Sequence, residues 1–202
     1  RQAFEEGYDA LIYTSINSKG SATHQNAVQA REDFFEEYPQ ARGKMEIYII
    51  DSRCYTMGYG WAVLAGARMA AQVSDAEEIV RTIQSWVDRV RILFVPYDLK
   101  FAKKSGRVSA AAAFVGDALG LKPIMTFEDG ESKILAKVRG EKNVIPTLLD
   151  IARKERDETA PYLIIRADRA DQADLLSREC SAQFGQDPAM EFYIGGVIAI
   201  NA

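Results

Sequence analysis

Tyr13-Thr14-Ser15-Ile16-Asn17-Ser18-Lys19-Gly20-Ser21-Ala22-Thr23-His24 is the stretch around which the chain is organised. The apolar run Ala10 to Tyr13 before it reads as a buried strand. A turn with Gly20 and four side-chain hydroxyls (Ser15, Ser18, Ser21, Thr23) follows. Ala27, Ala30, Phe34 and Tyr38 then recur at helical spacing. A strand, a polar turn and a helix leave backbone N–H groups and the positive end of the helix dipole facing one place, which suits a carboxylate or a phosphate. Ser21 acting only as a helix cap accounts for the same residues equally well.

Outward from this stretch, strands and helices alternate. Met45 to Ile50 reads as a second strand ending at Asp51-Ser52, followed by an Ala- and Gly-rich helix from about Thr56 to Gln72. Ser74-Asp75 caps a helix with Glu77 and Glu78 in its first turn and an apolar face of Ile79, Val80, Ile83, Trp86, Val87 and Val90. Ile92 to Val95 is expected as a strand, Tyr97 to Lys104 as a short helix ended by Gly106, and Ala110 to Leu119 as another helix. Pro123 to Phe127 and Lys133 to Val138 pair across an Asp129-Gly130 hairpin. A helix over Asn143 to Arg156, a strand at Tyr162 to Ile165, a helix at Asp171 to Phe184 and a strand at Glu191 to Ile194 precede a last apolar run to Ile200.

This is an α/β pattern. It predicts two α/β lobes: residues 1–91, the C-terminal part of a parallel-sheet three-layer domain, and residues 92–202, a mixed sheet with helices. A ligand cleft is expected between them. The chain opens on what reads as the end of a helix, so further sequence is expected ahead of it.

The totals narrow the function. The 202 residues are 48% hydrophobic with net charge −4, which predicts no basic field for nucleic acid. The apolar runs fall far short of the roughly 20 residues that cross a bilayer, so no stable membrane insertion is expected. Cys54 and Cys180 read as buried thiols of a cytoplasmic protein. With one histidine and two cysteines, no metal site of the usual N/S ligands is expected. A Ser-His-Asp triad would have to use His24, in the first turn of a helix.

Other motifs have plain explanations beside sharper ones. Gly58-Tyr59-Gly60 departs from a dinucleotide fingerprint at Val63, and close helix packing explains it better. Asp168, Asp171 and Asp174 read as a solvated helix start with Asp171 as cap. Ser105-Gly106-Arg107-Val108-Ser109 places Arg107 either facing a cleft or exposed, with Ser109 capping the next helix. Lys137-Val138-Arg139-Gly140 reads by default as an exposed strand end.

Taken together, the pieces resemble the DegV family of bacterial fatty-acid-binding proteins. Ile16 to Ala27 is similar to the family's I-S-S-x-L-S-G-T-Y-Q-S-A, and Asp51-Ser52-Arg53 to its D-S-R, with Gly58 and Gly60 beyond. Asp98 to Ser109 resembles D-L-x-Y-L-K-K-G-G-R-I-S, Leu121 to Ile124 resembles I-K-P-I ahead of the Asp129-Gly130 turn, and Lys137 to Gly140 resembles K-V-R-G. The resemblance implies a protein that is not itself an enzyme and needs no cofactor. It implies one long-chain fatty acid bound between the lobes and handed to a separate fatty-acid kinase. Asn17, Ser18, Ser21, Thr23, Arg107 and Asn201 would be the lipid-binding residues. Asn17 replaces the family's first serine and Asn201 its histidine, so an altered head-group pocket is expected. An amide still donates to a carboxylate but carries no charge. A small-molecule kinase or phosphotransferase, and a plain interaction module, are the competing readings.

Overall fold

A computed structural model describes residues 1–114 and 120–201; of Phe101, Ala112, Ile200 and Asn201 only the backbone is described. The chain divides into two compact units, Arg1–Val90 and Arg91–Ala202.

The first unit contains α1 (Gln2–Glu5), β1 (Ala10–Ser15), α2 (Thr23–Glu37), β2 (Glu46–Asp51), α3 (Met57–Ala70) and α4 (Ala76–Arg89). β1 and β2 pair in parallel from Ala10 opposite Glu46 to Ser15 opposite Asp51. Their C-terminal ends therefore lie side by side, and Ser15 and Asp51 are neighbours although 36 positions separate them in sequence. Alternation along the strands sends Ile12 and Ile50 to the face covered by α3 and α4. There they join a core of Ala62, Ile79, Ile83 and Val87. The glycines of α3 serve that packing: a Cβ on Gly66 would lie 2.6 Å from Ile83 Cδ1. Asp75 caps α4 by accepting from the N–H groups of Glu77 and Glu78.

The second unit contains α5 (Leu99–Ser105), α6 (Ser109–Ala112), β3 (Leu121–Glu128), β4 (Glu131–Arg139), α7 (Val144–Glu155), β5 (Leu163–Arg166), α8 (Ala170–Phe184), β6 (Met190–Tyr193) and α9 (Gly196–Asn201). β3 and β4 pair antiparallel around Asp129-Gly130, where φ is +49° and +76°. Positive φ at both residues is the type I′ turn that matches strand twist. β5 and β6 pair in parallel. These are separate two-stranded sheets. α7 links their cores, giving Val144 to the cluster with Ile124 and Val138, and Ile145 and Leu149 to the cluster with Ile164 and Cys180.

Several expectations need correction. Ile92 to Val95 is not a strand: Phe94 alone makes an antiparallel bridge to Met125. The register of β3 shifts at Ile124/Met125, which bends the strand there, and Pro96 has no N–H with which to extend the ladder. Phe94 is fixed instead by stacking on Phe127, with ring centroids 5.0 Å apart. The helix expected over Ala110 to Leu119 is observed at Ser109–Ala112, and residues 115–119 lie outside the described set. Ser109 does not cap α6. The hydroxyl of Ser132 accepts the N–H of Ala110 at 3.0 Å and does that work from β4. Asp171 is not the cap of α8 either: Arg169 precedes the helix, and its guanidinium donates to Asp171 at 3.0 Å. That ion pair holds the Asp171 carboxyl well below the usual carboxylate range.

Both cysteines are buried free thiols. Burial pushes Cys54, in the first unit, and Cys180, in the second, each up to about 11.

Candidate functional site at the start of α2

The turn between β1 and α2 is laid against the segment that follows β2. The N–H of Asn17 donates to the Cys54 carbonyl at 3.0 Å, and the N–H of Ser52 donates to the Ser15 carbonyl at 3.2 Å, carrying the parallel pairing one step beyond the strands. Asn17 has no exposed surface. Its NH2 donates to the Tyr55 hydroxyl at 2.9 Å, and its Oδ1 accepts the N–H of Lys19 at 3.2 Å. A buried amide used on both sides organises the turn from within. Gly20 packs under Tyr55, and a Cβ there would fall 2.1 Å from the phenolic oxygen.

The anion-friendly geometry is present, but one of its members is already engaged. Ser18 gives both its N–H and its hydroxyl to the carboxylate of Asp51. The N–H of Arg53 donates to the same carboxylate at 3.0 Å. Partial burial pushes the Asp51 carboxyl up, but the Ser18 hydroxyl and the two backbone N–H groups outweigh it and hold it below its ordinary value. The chain's own carboxylate thus occupies the Ser18 donors.

The start of α2 is different. Ala22 occupies the cap position and has no side chain to offer, so Ser21, one residue earlier, accepts the Thr23 N–H at 3.3 Å. The Ser21 and Thr23 hydroxyls lie 2.7 Å apart, which uses one of their two protons. Among the described residues, the N–H groups of His24 and Gln25 have no acceptor, and the next, of Asn26, returns to the Ala22 carbonyl. Two backbone donors, one hydroxyl proton and the positive end of a 15-residue helix converge there.

His24 bends back over the strand end, with Nδ1 3.1 Å from Ser15 Oγ. This is a serine–histidine contact without a nucleophile. Ser15 is 1% exposed, and its hydroxyl donates to the Ile50 carbonyl at 3.2 Å. An acyl-transfer serine needs an exposed oxygen whose proton goes to the base. Among the described residues no group of three histidine, cysteine or acidic side chains is placed to hold a metal ion, and no helix is long and apolar enough to cross a membrane.

The structure gathers Asn17, Ser18, Ser21 and Thr23 at one turn. Arg107 belongs to the second unit, where it is exposed and turns back on its own loop, its guanidinium donating to the Ser105 carbonyl at 2.8 Å. The side chain of Asn201 lies outside the described residues. Sequence reasoning left Asp51, Tyr55, Ser15 and His24 out of the site. The signal for Asp51 and Ser15 was topological: adjacent parallel strands bring their carboxyl ends together, where open α/β sheets bind ligands.

Parallel strand, hydroxyl-bearing turn and helix start make up an α/β unit with backbone donors converging at one helix end. The sequence profile of the DegV family, described as uncharacterised proteins, matches residues 1–202, and the chain belongs to that family. A DegV domain-containing protein of Caldanaerobacter subterraneus subsp. tengcongensis is 38% identical over 74% of this chain and 51% of its own length. The chain thus spans about half the length of that curated relative. Among solved structures, the fatty acid binding DegV family protein from Streptococcus agalactiae is 26% identical, with a TM-score of 0.83 over 99% of this chain and 69% of that one. The Streptococcus pneumoniae fatty acid kinase (Fak) B3 protein, loaded with linoleic acid, shares the fold at 24% identity, with a TM-score of 0.82 over 100% of this chain and 70% of that one.

Proposed function

We propose that this chain binds a long-chain fatty acid with its carboxylate at the start of α2, and presents that carboxylate to a fatty-acid kinase rather than reacting with it. The observation that carries the reading is the pair of N–H groups of His24 and Gln25, without acceptors among the described residues, beside the one hydroxyl proton that the Ser21–Thr23 contact leaves over. They stand in a chain whose fold follows a fatty-acid-binding protein over 99% of its length. A carboxylate needs several short donors and a dipole of the right sign, and both are there. The hydrocarbon supplies the affinity. Burying about 14 methylenes at ~0.8 kcal/mol each gives on the order of 11 kcal/mol gross, from which association removes several.

Within this proposal Ser21 and Thr23 touch the head group, Asn17 holds the turn from below, and Ser18 reaches the ligand only by leaving Asp51. The kinase step rests on likeness to the pneumococcal protein and on a site with donors but no activated nucleophile.

Native mass spectrometry of the purified full-length protein tests it, followed by extraction and identification of whatever is bound. An added mass equal to a free fatty acid is expected. A bare mass that stays unshifted after incubation with fatty acids would overturn the reading in favour of another small carboxylate or phosphate. Asn17→Ala is expected to weaken fatty-acid binding, and unchanged affinity would remove Asn17 from the site.

A further inference from the structure

Asp51 is the last residue of β2, and its carboxylate stands at the carboxyl ends of two adjacent parallel strands, where open α/β sheets take their ligands. Ser18 grips it at both oxygens: its N–H donates to Oδ1 at 3.1 Å and its hydroxyl donates to Oδ2. The N–H of Arg53 adds a third donor, to Oδ1 at 3.0 Å. Two-point binding through a hydroxyl and backbone N–H groups is also how proteins seat a carboxylate that comes from outside.

The contact is built to exchange. The turn is held without it: backbone bonds carry the parallel pairing past the strand ends, from Asn17 to Cys54 and from Ser52 to Ser15, and the Asn17 side chain ties the turn to Tyr55. The donors are within reach of solvent, since Ser18 and Arg53 are both exposed. Arg53 gives only its N–H to Asp51 while its guanidinium pairs with Asp88 of α4, so that ion pair stays in place whichever carboxylate the N–H holds. A carboxylate tethered beside its donors competes at an effective concentration on the order of millimolar or above. A small free carboxylate brings nothing to set against that. A carboxylate that also buries hydrocarbon does.

We propose that Asp51 is an internal plug: it holds the Ser18 and Arg53 donors against small carboxylates and gives them up to the carboxylate of a ligand whose acyl chain supplies the energy. Its displacement by a fatty acid rests on the function proposed above. The fitness of its seat for an outside carboxylate does not. An arriving carboxylate meets the Asp51 charge as well as the occupied donors, so the plug lowers affinity for every carboxylate and leaves only the long-chain ones bound.

Formate and palmitate test the two halves of this on the full-length protein and its Asp51→Gly variant, which lacks the plug but keeps the Ser18 and Arg53 donors. Formate is expected to raise the thermal midpoint of the variant saturably, by about 2–4 °C over chloride at equal ionic strength, and to leave the wild type where it was. Palmitate is expected to bind the variant about fivefold more tightly in calorimetry, because one like charge is gone, although the variant is the less stable protein. A merely structural Asp51 gives the opposite, weaker binding together with weaker stability. Formate that shifts both proteins alike, or neither, overturns the plug. Palmitate that binds the variant no more tightly than the wild type overturns the competition with the ligand. Absence of palmitate binding by either protein overturns the function proposed above, and formate still decides the plug. Should Asp51→Gly fail to fold, Asp51→Asn carries the palmitate comparison. It keeps an acceptor for the backbone N–H groups and loses the charge, so the same gain is expected, and no gain overturns the proposal.

Discussion

Asn17 and Gly20 show how tightly single side chains specify the turn. Replacing Gly20 by Ala puts a methyl 2.1 Å from the Tyr55 hydroxyl, so tyrosine or turn must move. A loss of about 1–3 kcal/mol is expected by urea denaturation, the range found for overpacking. Asp51 makes a pH-dependent contribution. Its carboxyl is held below its ordinary value in the folded chain, so its stabilisation is fully present above the usual carboxylate range and is lost as pH falls through the lowered value. Asp51→Asn should therefore be less stable than wild type near neutrality, and the two should converge in acid. Denaturant midpoints measured from about pH 7 down to 3 would show this, and parallel curves would deny Asp51 that role.

Among the elements, the α3–α4 pair is the most sharply specified. Gly66 allows the helices to touch, and Ile83 fills the space where its side chain would be. Gly66→Ala gains helix propensity, of order 1 kcal/mol, but meets Ile83 at 2.6 Å. The clash is expected to win, with a net loss of about 1–3 kcal/mol in denaturant melts. Adding Ile83→Val, which removes Cδ1, one of the two Ile83 atoms at 2.6 Å, should recover part of it. A double mutant no better than the sum of its parts would mean that the helices do not meet through these atoms.

The whole molecule shows which features sequence carries. The Asp75 cap, the Gly106 helix end, the Asp129-Gly130 hairpin and the β1–turn–α2 unit are local, and each is written in a few adjacent residues. What was not legible is non-local. Ser18 reads as a free hydroxyl until β2 delivers Asp51 to it from 33 residues away. Ser109 reads as a cap until Ser132 arrives from β4. Phe94 reads as part of a strand because its apolar run has the right length, whereas pairing depends on the bend in β3 and on Pro96. His24 reads as an unremarkable helix residue until the strand end brings Ser15 beneath it. The family resemblance placed Arg107 in the site. The chain by itself shows an arginine folded onto its own loop.

The two buried thiols have a use as clocks. Cys54 sits behind the β1–α2 turn and Cys180 in the α8 core, one in each unit, and neither is ionised near neutral pH. An alkylating reagent reacts with thiolate and needs access, so the folded protein should be nearly inert to it. Each sulfur should become reactive only when its own surroundings open. Pulsed alkylation followed by peptide mass analysis would time the two openings separately in one sample. If palmitate docks at the start of α2, it should slow the labelling of Cys54, whose carbonyl accepts the Asn17 N–H of that turn. Unslowed labelling of Cys54 at saturating palmitate would place the lipid elsewhere.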